Sequence, residues 1–138
     1  MLTQVISMGL SFLLLWAGRD KTWTPTFEGT RELRFTTAVV HYQAKMGLGD
    51  KPLVFEIRPA RRLVNGSLSC AWVERSREWH SDIIGFSTAK ECKTWKPEEL
   101  ALHEQCHRRM AHLDVEDGPN EHAEVKTCMA WYSAKERR

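Results

Sequence analysis

A chain of 138 residues is the size of one ordinary domain, and at 42% hydrophobic and 28% charged it can bury a single core without covalent staples. Twenty basic residues against 18 acidic leave a net charge of +2, which excludes the strong electrostatic footprint of a nucleic-acid binder. The local basic clusters, Arg58 with Arg61 and Arg62, Arg108 with Arg109, and Arg137 with Arg138, read as solvated faces. Cys70, Cys92, Cys106 and Cys128 contain no C-x-x-C pair, which excludes a zinc ribbon. Cys106 and Cys128 read as small core residues.

Residues 1–18 carry no charged side chain, and the densest apolar part runs from Val5 to Ala17. That is short of the about 20 residues a spanning helix needs. It is similar to the apolar region of a signal peptide, without the usual basic start or small-residue cleavage site. Membrane contact or export through residues 4–18 is one reading, and a segment buried on the domain is the other. Localisation stays open between membrane-tethered or exported and cytoplasmic. Residues 1–30 are therefore set apart as an apolar segment and linker, with Pro25 and Gly29 as breakers, and residues 31–138 as the domain.

From Glu32 to Met46 the spacing predicts a helix, with Leu33, Thr37, Val40 and Ala44 on its apolar stripe and Gly47 as terminator. "KPLVFEIRP", residues 51–59, predicts a strand bracketed by prolines. An Asn65-Gly66 turn precedes a second strand, Leu68 to Glu74. "HSDIIGFST", residues 80–88, predicts a third, with Gly85 marking a bulge or a close approach. A helix then opens at Pro97 with Glu98 and Glu99 in its first turn, and closes near Asp114. A last helix runs from about Asn120 to Lys135. The fold class is α+β: a small three-stranded sheet, or slightly larger, packed with helices.

The helix from Pro97 carries His103-Glu104-Gln105-Cys106-His107. Residues four apart sit one turn above each other, so both imidazoles can meet one zinc ion. Leu100 and Met110 share their stripe, which turns the histidines inward. Glu104 can take a proton from a zinc-activated water and pass it to a leaving amine. A third ligand is expected on the last helix: Glu124 first, His122 second, Glu121 third. Tyr132 is a candidate transition-state helper, with a core tyrosine as the plainer reading. His112, five residues beyond His107, reads as exposed.

"HEQCH" on a helix that follows a helix and three strands resembles the zincin metallopeptidases. In element order the resemblance covers about residues 31–135. The compact size is similar to minigluzincins and to the phage-associated ImmA/IrrE-like peptidases, whose third ligand is a glutamate on the following helix. "NEHAEV" can match through Glu124 or Glu121. The SprT-like family offers an alternative, with a histidine some fifteen residues after the motif, where His122 stands. The resemblance implies a zinc-dependent peptidase acting on a protein or peptide, with an edge strand pairing extended substrate above the metal. "DIIGFS", residues 82–87, is the expected edge. The competing readings are a DNA-associated SprT-like protease and a non-catalytic zinc-binding or interaction protein.

Overall fold

A computed structural model describes residues 22–76, 80–113 and 119–137. The apolar segment of residues 4–18 and the loop after the motif helix lie outside them. Among the described residues, three helices and a mixed three-stranded sheet form the α+β fold. In chain order they are α1 (Arg31–Lys45), β1 (Leu53–Arg58), β2 (Ala71–Ser76), β3 (Ser81–Ser87), a short 3₁₀ turn at Lys90–Thr94, α2 (Pro97–His112) and α3 (Pro119–Glu136). Among the described residues, no helix is long and apolar enough to cross a membrane.

Helix α1 starts because Thr30 accepts a hydrogen bond from the Leu33 amide at 3.2 Å. Its buried face is Phe35, Ala38, Val39 and Tyr42, while Leu33 and Val40 of the expected stripe are exposed. Both sets have helical spacing. The aromatic set wins because Phe35 and Tyr42 remove more apolar surface from water, and Ala38 between them admits a close neighbour.

The strand order is β1-β3-β2, with β3 parallel to β1 and antiparallel to β2. This corrects the expectation for residues 82–87: they form the central strand, and β2 is the edge beside α2. The reason is legible in burial. Ser81, Asp82, Ile84, Gly85, Phe86 and Ser87 are all buried, as a strand paired on both sides requires, whereas β2 exposes Glu74 and Arg75. Gly85 marks close approach rather than a bulge, for β3 keeps register on both sides and the Trp72 indole covers residue 85. The Asn65-Gly66 turn closes a small loop between Arg62 and Leu68, with Gly66 at φ +84°.

The core lies between the sheet and the helices. Phe35 stacks on Phe86 at 4.8 Å, and Ile84, Leu102, Cys106, Val125 and Tyr132 join them. Helix α2 also buries polar groups, each with a partner. Arg34 grips the fully buried Glu98 with two hydrogen bonds of 2.6 and 2.9 Å. Gln105 donates to the Val39 carbonyl at 2.7 Å. Arg108, read from sequence as part of a solvated cluster, is 1% exposed and donates to Asp82, Gln43, Gln105 and the Lys51 carbonyl.

All four cysteines are paired, Cys70 with Cys92 and Cys106 with Cys128. The reading of Cys106 and Cys128 as core residues holds for their burial but misses the bond between them. Even spacing in sequence says nothing about pairing; the approach of α2 to α3, which brings the two Cα atoms within 5.9 Å, decides it.

Candidate metal centre

Helix α2 presents His103, Glu104 and His107 to one cleft of about 550 Å³. Pro97 at the first helical position and the acidic first turn fix where the helix begins, and so which residues reach the cleft. Ala101 and Leu102 anchor the far side of the helix in the core, while Cys106 and Met110 are buried beside the histidines. The two imidazoles, one turn apart, lie with ring centroids 4.6 Å apart and nearly perpendicular. They are half-exposed at the cleft wall rather than turned into the core. Glu104 is buried, and its Oε1 lies 2.9 Å from His103 Nδ1.

The far wall of the cleft is β2, from Ala71 to Arg75. Arg61 and Leu63, held by the small turn before β2, close one side. Asp82 and Arg108 lie deep in the cleft wall. Asp82 accepts from Arg108 Nε at 2.8 Å and from His112 Nε2 at 2.7 Å. Arg75 Nη2 lies 3.1 Å from His112 Nδ1, so the His112 ring donates through Nε2 and accepts through Nδ1. Burial pushes the Asp82 carboxyl up, but the hydrogen bonds from Arg108 and His112 outweigh it and hold it below the usual carboxylate value. Glu99, one turn before His103, is pushed the other way by its own burial, with Lys96 and His103 opposing. His112 is therefore not the exposed residue expected from its position; Asp82 draws it in.

Helix α3 separates the three third-ligand candidates. Val125, Cys128 and Tyr132 are its buried stripe. His122 stands three residues before Val125, on one flank of that stripe, and its ring centroid lies 6.1 Å from that of His107. Glu124 stands four residues before Cys128, on the other flank, and lines a separate cavity of about 220 Å³ with Arg109, Met110 and Trp131. Two residues along a helix are a rotation of about 200°, so His122 and Glu124 cannot serve the same site. The side chain of Glu121 lies outside the described residues. Tyr132 packs in the core and borders the second cavity, not the histidine cleft.

Among the described residues no three of His, Cys, Asp and Glu already converge on one point. What is assembled is a pair of imidazoles with a buried carboxylate, and a third imidazole within reach. That donor set suits zinc, which takes histidine nitrogen readily and needs one position left open for water.

Asp82, Arg75 and Arg108 are the cleft residues that sequence reading missed. The available signal was Asp82 at the head of an apolar strand, where a carboxylate demands a buried cation. Comparison with family models, curated proteins and solved structures finds no match, so this cleft is read from its own residues.

Proposed function

We propose that the protein is a small zinc-dependent metallopeptidase. The observation that carries this reading is the pair His103 and His107 with buried Glu104, facing an edge strand across one cleft. His103, His107 and His122 would hold the ion, and the proximity of His122 to His107 supports it over Glu124. Zinc, when bound, polarises the scissile carbonyl and makes a water molecule acidic enough to lose its proton near neutral pH.

The chain's own residues do the rest. Glu104 accepts the water's proton and delivers it to the departing amine nitrogen. Its burial keeps competing solvent away from that carboxylate. Among the described residues strand β2 is paired on one side only, to β3, so its other edge can pair an extended peptide backbone. Such pairing aligns substrate along the cleft with little choice of sequence. The side-chain donors at its end, Arg75 and His112, are held in place by Asp82. Tyr132 has no part in this reading, since its ring serves the core.

Elemental analysis of the purified protein tests the ligand set. About one zinc per chain is expected, retained in Glu124→Ala and lost in His103→Ala and His122→Ala. Zinc lost with Glu121→Ala but kept in His122→Ala would move the third ligand by one residue. A wild type that takes up no zinc would sink the peptidase reading. A histidine third ligand is also what the SprT-like resemblance implies, and salt-sensitive stimulation of cleavage by DNA would select that branch.

A further inference from the structure

Cys106 lies inside the His103–His107 segment, and Cys128 lies on the helix that carries His122. The disulfide between them thus joins the two halves of the proposed ligand set, and the inference rests on that reading. Helix α3 is held beside the histidines by its core packing together with this bond. Its buried apolar anchors are Val125 and Tyr132, and the His41–Glu136 pair ties its far end to α1. His122 itself is exposed, six residues before Cys128, with its ring centroid 6.1 Å from that of His107. Rotation of α3 about its axis by one residue's worth, about 100°, would carry His122 out of reach of His107. Cys128 is the one covalent restraint against that rotation among the described residues.

We propose that Cys106 and Cys128 are positioning residues for the metal centre: their bond sets the rotation of α3 so that His122 shares an ion with His103 and His107. The other disulfide provides a matched control. Cys70–Cys92 spans the same sequence separation, 22 residues, and so restrains the unfolded chain equally. It joins the entry of β2 to the 3₁₀ turn, and neither of its cysteines lies on α2 or α3. A purely stabilising role would make the two bonds interchangeable; a positioning role would not.

The test measures zinc affinity by competition with a chromogenic chelator, on full-length oxidised protein, alongside circular dichroism to verify that each variant is folded. Cys106→Ala/Cys128→Ala should bind zinc at least about tenfold more weakly than wild type, as displaced supporting groups commonly cause. Cys70→Ala/Cys92→Ala should stay within about threefold. His122→Ala should weaken the wild type but add nothing in the Cys106→Ala/Cys128→Ala background, because there the imidazole is already disengaged. Equal affinities in both double-cysteine variants, or multiplicative effects of His122→Ala and the Cys106/Cys128 pair, would overturn the inference and leave the metallopeptidase reading standing. No zinc on the oxidised wild type would overturn both.

Discussion

Arg108 and Asp82 form a buried ion pair, Nε to Oδ2 at 2.8 Å, that ties the motif helix to the central strand. The Arg108 side chain is 1% exposed, so removing its partner leaves a charge with no water to turn to. Asp82→Asn should cost about 3 kcal/mol in urea unfolding. A loss under about 0.5 kcal/mol would mean that Gln43, Gln105 and the Lys51 carbonyl suffice for Arg108.

The same carboxylate sets an acid limit. Its folded pKa is lowered, so its contribution is complete above the ordinary carboxylate value and fades as pH falls through the lowered one. Wild-type stability should therefore drop on acidification across and below the usual aspartate range. The Asp82→Asn protein should show a flatter profile over that interval. Parallel curves for the two proteins, measured by denaturant midpoint at successive pH values, would contradict this.

Gly85 and Trp72 are a second pair in which neither residue can be changed alone. A β-carbon at position 85 would lie 1.8 Å from the Trp72 ring, and that ring is held by a 3.0 Å hydrogen bond from its Nε1 to Glu56. Gly85→Ala should destabilise by about 2 kcal/mol. In a Trp72→Leu background the same change should cost much less, since the clashing ring is gone. Additive thermal shifts across this cycle would deny the contact.

Glu104→Gln keeps the shape of the side chain and removes its basicity. Zinc content should stay at the wild-type level while peptide cleavage falls about a thousandfold. Cleavage that survives the change would assign the proton transfer to another group and remove the mechanistic reason for a carboxylate beside His103.

Loss of either disulfide should lower stability by a similar amount, about 3 kcal/mol on loop entropy alone. Disulfides of this kind form and persist in oxidising compartments. All four thiols should resist alkylation in protein isolated from its native host until a reductant is added. Rapid labelling of Cys70 and Cys92 without reductant would place the protein in a reducing one.

The positions of the elements were legible because each is bounded by local chemistry. Pro97 and the acidic turn start α2, Gly47 stops α1, and prolines bracket β1, so the expected boundaries fall within a few residues of those observed. The His-Glu-x-x-His spacing is likewise local. What sequence could not supply is relational. The choice between two apolar stripes on α1, the central place of β3, the rotation of α3 that parts His122 from Glu124, and the cysteine pairing all depend on what a neighbouring element presents. Asp82 and Arg108 illustrate the limit, for they lie 26 positions apart and the one local partner of Arg108, Gln105, is uncharged and does not announce the pair.

The strand order also governs when this protein can fold. The last strand made is the middle one, so β1 and β2 have no partner in the sheet until β3 has been synthesised. A ribosome-bound chain must hold two unpaired strands through residue 87, and helix α2, which lies beside β2, arrives later still. The sheet is consequently assembled from distant segments once β3 is made, and slowly relative to the helices.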